Sequence, residues 1–243
     1  MNFSNFLKLI GFSRQKINYQ ENILSVIGGF LGIFGIFITS HWLLDPEVAV
    51  LIVPSMGASA VLLFAAPHAP FSQPWSVIGG HALSAIVGVA CWQLIPDYSI
   101  AASASVALSI GVMYLARCIH PPGGATALAA VIGSEKLHEL GFSYEFQPVL
   151  LNAITILLVA IIFNSFFKWR RYPAHLHLTR QAYETTPTEA LIDHTPINHE
   201  DFVYALSHID TFVDIDEDDL LTIYNLATKR HIAESHSSEK LCR

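Results

Sequence analysis

From Tyr19 to Lys168 the chain consists of long uncharged apolar runs separated by short polar breaks, and the run lengths predict membrane-spanning helices. Asn22 to Leu44 is 23 residues without a charge. About 20 apolar residues cross a bilayer core as a helix, so this run predicts the first span. Val48 to Pro96 is a further 49 uncharged residues, too long for one crossing and punctuated by Pro54, Pro67, Pro70 and Pro74. It divides into a segment 48–66 broken at Pro54, a loop 67–76 and a span 77–95. The next span, 98–116, ends at Arg117, and a short apolar piece, 123–133, follows His120-Pro121-Pro122. The last span, 148–167, is closed by Lys168, Arg170 and Arg171. The pattern predicts an all-α membrane protein of six apolar segments, two of them broken.

Bases flank both ends of this region, Lys8, Arg14 and Lys16 before it and Lys168, Arg170 and Arg171 after it. The excess of bases on cytoplasmic flanks places both termini in the cytoplasm and requires an even number of crossings. Six crossings meet this, as do four crossings with two re-entrant pieces. An internal likeness favours six. Pro54-Ser-Met-Gly57-Ala58-Ser59-Ala60 resembles Pro121-Pro-Gly-Gly124-Ala125-Thr126-Ala127 at an offset of 67, and His81-Ala-Leu-Ser84 resembles Asn152-Ala-Ile-Thr155 at an offset of 71. A three-segment unit used twice has its second copy upside down, giving a 3+3 inverted repeat.

Charge divides the chain in two. Residues 1–173 carry seven acids and eight bases, whereas 174–243 carry thirteen acids and five bases. The overall balance of −7 thus belongs to the tail, and no stretch supplies the basic face that a nucleic acid requires. Four parts are expected: an amphipathic segment 1–20 on the membrane surface, a transmembrane domain 21–173, a linker 174–197, and an acidic cytoplasmic tail 198–243 with short helices near 198–209 and 217–231. Asp214, Asp216 and Asp218 have the spacing of a calcium loop, but Asp219 stands where that loop needs glycine and Asn225 where it needs glutamate. Cys91, Cys118 and Cys242 have no spacing for a disulfide framework or a zinc site, so neither metal nor cofactor is expected. A bacterial inner membrane is the expected location. In the first span Gly28, Gly32 and Gly35 form a small-residue face for close helix packing, and Gly28-x-x-x-Gly32 is also a candidate contact for a homo-oligomer.

The two proline-glycine motifs are the candidate chemistry. Proline ends a helix, glycine turns the backbone into the next one, and a helix start inside a bilayer needs partners for its unpaired N–H groups. Such a start carries about half a positive charge and favours anions. Gly57, Ala58 and Ser59 in one motif and Gly124, Ala125 and Thr126 in the other are therefore expected to line a small-anion site, as facing helix starts near the midplane. Arg117 would add charge with a planar two-point contact. His120 would join the site, and His81 and His120 are candidates for proton coupling. No Asp or Glu falls inside a proposed span, which disfavours a carboxylate-based cation path. An enzyme is not expected, because Gly57-Ala-Ser59 lacks the second glycine of a nucleophile elbow and any nearby acid. The alternatives are a non-transporting scaffold or sensor whose tail recruits a soluble partner, and a polar-solute channel.

Gly57-Ala58-Ser59-Ala60-Val61-Leu62-Leu63-Phe64, then Gln73-Pro74, Gly80-His81 and His120-Pro121-Pro122-Gly123-Gly124-Ala125-Thr126-Ala127-Leu128 follow in the order and spacing of the HPP family of integral membrane proteins, which the chain resembles over about residues 20–170. The resemblance implies a transporter, and because some plastid and cyanobacterial members transport nitrite, it makes nitrite the candidate anion. Some members continue into paired nucleotide-binding modules, for which the 70 residues beyond 173 are too few.

Overall fold

The computed structural model describes residues 18–43 and 46–174, the side chains of 46–53 excepted. The expected surface segment 1–20 lies almost wholly outside the described residues, as do the linker and the tail from 175 onward. Among the described residues the order is α1 (Tyr19–Leu43), α2 (Pro46–Ala65), a 3-10 turn (Pro70–Ser72), α3 (Pro74–Leu94), α4 (Tyr98–Leu115), α5 (Pro121–Ile132), α6 (Glu135–Glu139), a wide turn (Glu145–Leu150), α7 (Leu151–Ser165) and a closing 3-10 turn (Lys168–Arg170). Among the described residues four stretches are long and apolar enough to cross a membrane: Tyr19–Leu43, Pro74–Leu94, Tyr98–Leu115 and Glu145–Ser165. Pro54–Ala65 and Pro121–Ile132 are shorter apolar helices.

Side-chain contacts fix the directions of these helices. Arg170, just after α7, pairs with Glu21 at the start of α1 and donates to the Phe64 carbonyl at the end of α2. Asn164 Nδ2 donates to Leu63 O at 3.3 Å. The start of α3 lies at the same end, because Tyr172 donates to Ser72 O and Ala174 N–H to Gln73 Oε1. So does the end of α4, where Trp75 Nε1 donates to Ala116 O at 3.1 Å. Trp92, late in α3, instead stacks on His138 of α6, with ring centroids 3.7 Å apart. The six apolar helices therefore alternate in direction, and the first begins at the end where the last finishes. α2 runs toward that shared end and α5 away from it.

Opposite directions do not give the two motifs the same form. The expected break at Pro54 is absent: α2 is helical from Pro46 to Ala65 with Pro54 inside it. An interior proline removes one backbone hydrogen bond and crowds the carbonyl one turn back, and α2 continues through Pro54 despite both. A Cβ on Gly57 would meet nothing within 4 Å, so no close approach demands glycine there. The second motif does begin a helix, with extended His120 as its N-cap and Pro121 and Pro122 in its first turn.

Glycines set how closely the helices approach, and they do so inside one chain. A Cβ on Gly28 would lie 2.4 Å from the Phe64 ring and one on Gly32 2.6 Å from it. Phe64 thus packs on the glycine face of α1 at Gly28 and Gly32. The α3–α5 pair is as close, since a Cβ on Gly80 would sit 2.5 Å from His120 Cβ and one on Gly88 2.5 Å from Ala127 O.

Candidate functional site

Four polar side chains from three helices and a helix cap meet in the apolar bundle. Ser59 of α2, His81 of α3, His120 before α5 and Thr126 of α5 are each fully buried. Ser59 Oγ lies 2.8 Å from His81 Nε2 and 2.9 Å from His120 Nε2. His81 Nδ1 lies 2.8 Å from Thr126 Oγ1, and His120 Nδ1 lies 2.7 Å from Phe71 O. The rings stand edge to face with centroids 4.8 Å apart. The five groups form one continuous chain from Thr126 through His81, Ser59 and His120 to the Phe71 carbonyl.

The sequence builds this chain from close contacts. Gly79-Gly80 removes the side chains that would hold α5 away from α3, so His81 and His120 fall within ring contact. Each hydroxyl also has a carbonyl one turn back on its own helix, Ser55 O at 3.2 Å from Ser59 and Pro122 O at 3.4 Å from Thr126. Tyr144, from the connection after α6, donates to Thr126 O at 3.0 Å and closes the cluster on that side. Ser84, one turn beyond His81, is buried with no hydrogen-bond partner for its hydroxyl. At 1.5 Å per residue, His81 is about 10 Å from the start of α3 and Ser59 about 9 Å from the end of α2, so the cluster sits on the shared-end side of the helix middles and about 5 Å from them.

The other expected site residues fall elsewhere. Gly57 is half-buried and Ala58 and Ala125 are exposed, on faces turned away from buried Ser59 and Thr126. Gly124 lines an apolar cleft of about 260 Å³ with Val106, Ile110, Met113, Ile119 and Pro121. Facing helix starts are not formed, since α2 does not start at its motif. The start of α5 offers few donors: Pro121 and Pro122 have no N–H, and that of Gly123 bonds His120 O at 2.8 Å.

Arg117 is not brought to the cluster. Its side chain is exposed, and its φ of 54° puts it in the left-handed region. Arg117 N–H bonds Tyr114 O and Cys118 N–H bonds Met113 O, the paired bonds of a Schellman helix end, in which Arg117 holds the position usually given to glycine. The turn sends Cys118 and His120 inward and Arg117 outward. The span was expected to end at Arg117, but with no glycine to mark it the left-handed turn itself was not legible.

A second polar group lies at the shared end. Arg170, 1% exposed, pairs with Glu21, donates to Phe64 O, and bonds Asn164 Oδ1 through Nε at 3.2 Å. Trp169 Nε1 also donates to Glu21. Burial pulls the Arg170 guanidinium below its ordinary value, and Glu21 beside it pushes the other way. Burial likewise pushes the Tyr172 hydroxyl up. In the sequence Arg170 is one of the bases flanking the last span, and the visible sign of a partner is Glu21, an acid at the opposite border of the apolar region.

Among the described residues no group of three His, Cys, Asp or Glu gathers to hold a metal ion. A family model of the HPP transmembrane region matches residues 14–173. Two transmembrane proteins of Dictyostelium discoideum are similar: one is 37% identical over 162 residues, covering 65% of this chain and 52% of the relative. The other is 42% identical over 136 residues, covering 54% of this chain and 47% of the relative. The chain thus spans about half the length of the curated relatives it matches. No solved structure matches it. With helices long and apolar enough to span a bilayer and a family match over residues 14–173, the chain is an integral membrane protein that belongs to the HPP family.

Proposed function

We infer that the protein transports a small inorganic anion across the membrane, with nitrite as the candidate, and that the anion engages the Ser59–His81–His120–Thr126 cluster. The observation that carries this is a fully buried set of hydroxyl and imidazole groups with no carboxylate. Polar groups inside a membrane bundle are rare and mark solute paths by default. A site that can donate hydrogen bonds and take up positive charge, with no fixed negative charge, selects against cations. The unpartnered Ser84 hydroxyl beside it is a free donor that a ligand or water would complete. Nitrite enters from the family resemblance.

On this proposal α1–α3 and α4, α5 and α7 are two copies of an inverted three-helix unit, whose central helices, α2 and α5, supply Ser59 and Thr126. The shared end faces the cytoplasm, since Lys168 and Arg171 flank it. The protein then sits in a bacterial inner membrane with both ends of its transmembrane domain inside. The test is uptake of nitrite by proteoliposomes holding the full chain, with nitrate and formate as competitors. Saturable uptake that the competitors reduce supports transport. A rate equal to that of empty vesicles contradicts it and leaves the cluster as polar glue between helices.

A further inference from the structure

The hydrogen-bond chain admits one neutral arrangement of its protons, because one end of it is a group that can only accept. A carbonyl donates nothing, so the 2.7 Å contact with Phe71 O requires a proton on His120 Nδ1. Neutral His120 then has a bare Nε2, which the Ser59 hydroxyl must fill. Ser59 has no second proton to give, so His81 Nε2 must carry one and donate it to Ser59 Oγ. Neutral His81 therefore has a bare Nδ1, filled by the Thr126 hydroxyl. The two histidines are opposite tautomers, His120 protonated at Nδ1 and His81 at Nε2.

One more proton can enter without breaking this order. If it arrives on His81 Nδ1, that nitrogen donates to Thr126 Oγ1 and the Thr126 hydroxyl turns to Pro122 O, already 3.4 Å away. If it resides on His120 Nε2, that nitrogen donates to Ser59 Oγ. The two forms interconvert by a double step: His81 Nε2–H passes its proton to Ser59 Oγ as the Ser59 hydroxyl passes its own to His120 Nε2. Ser59 remains a neutral hydroxyl throughout, and the charge moves from one imidazole to the other. Ser59 stays paired with both rings in each form, and the Pro122 carbonyl one turn back keeps the Thr126 hydroxyl paired when it no longer donates to His81.

We propose that the Ser59-bridged His81–His120 pair is a single-proton site, loaded by a weak acid or hydronium and shared between the two rings, whose one positive charge is neutralised by the anion it accompanies. The last clause rests on the transport function proposed above; the shared site does not. Tyr144 at Thr126 O and Cys118 packed on Gly79 are the titratable groups nearest it. Arg170 with its Glu21 partner stands at the end of α2, where it bonds Phe64 O. Among the described residues Arg170 is the sole buried charged side chain, so no fixed negative charge inside the bundle competes with the anion.

Nitrogen NMR of the full chain, labelled with 15N-histidine in lipid nanodiscs, tests this directly, with the two signals among the 12 histidines assigned by His81→Gln and His120→Gln. Near neutral pH without anion, His120 should show the Nδ1–H form and His81 the Nε2–H form. Acidification with sodium nitrite present should add one proton per chain, and both rings should follow one common curve, as coupled sites do. Ser59→Ala should split that curve and Ser59→Thr should restore it. The opposite tautomer on either ring, separate curves in the unsubstituted protein, or no protonation down to the pH of unfolding would each overturn the proposal. The expected spectra in a protein that takes up no nitrite would remove the transport function and leave the proton site standing. Nitrite uptake with the rings in other tautomers would do the reverse.

Discussion

The buried polar groups around Ser59 and around Arg170 differ in what removing a member leaves behind. Arg170 is a permanent charge placed where α1, α2 and α7 meet, and its partners are one carboxylate, one amide and one backbone carbonyl. It has one arrangement. The Ser59 cluster is built of groups that both donate and accept, with alternative acceptors within reach, so it can change its proton count and stay hydrogen-bonded. Fixed charge suits a clamp and exchangeable protons suit a path, and variants of the two regions should separate accordingly.

The largest expected effect is on stability at the clamp. Glu21→Ala leaves a 1% exposed guanidinium without its counter-charge, which should destabilise the fold by about 3 kcal/mol. Thermal unfolding in detergent reads this, and anion uptake per folded molecule should hold. Loss of uptake at unchanged stability would erase the distinction between the regions. Gly80→Ala comes next, because the new methyl would sit 2.5 Å from His120 Cβ. Overpacking of this kind costs about 2 kcal/mol, and here it also displaces an imidazole, so uptake should fall together with stability. A fully active Gly80→Ala protein would mean that the spacing of the rings does not matter.

Smaller effects test where the site ends. Arg117→Gly relieves a side chain from the left-handed region and should stabilise by about 1 kcal/mol without changing uptake. A marked loss of uptake would return Arg117 to the anion path. Gly57→Ala should be the mildest change: with nothing within 4 Å of the new methyl, a gain of about 0.5 kcal/mol and unaltered uptake are expected. Impaired uptake would revive a special backbone at Gly57.

How much was legible follows the same physics. Apolar run lengths predicted the membrane helices, because run length answers to the bilayer rather than to neighbours. Ser59, His81, His120 and Thr126 could be singled out because polar side chains in apolar helices need partners, and those within reach are one another. What the sequence did not disclose depends on tertiary context. Pro54 lies inside a continuous helix, whereas Pro121 starts one because the chain has just turned at Arg117. Glycines at 28, 32, 80 and 88 are alike in sequence, yet each is explained only by what stands opposite it, the Phe64 ring, His120 or Ala127. Ser55 and Pro122 enter through backbone carbonyls, which residue identity does not reveal.

The central claim is that an anion passes through the Ser59 cluster, and nitrite uptake by proteoliposomes of Ser59→Ala beside the unsubstituted protein tests it most directly. Loss of one hydrogen bond to a charged ligand is worth about 1.5–3 kcal/mol, so the initial rate should fall by about tenfold or more at equal reconstituted amounts. Uptake by Ser59→Ala at the rate of the unsubstituted protein would contradict the account.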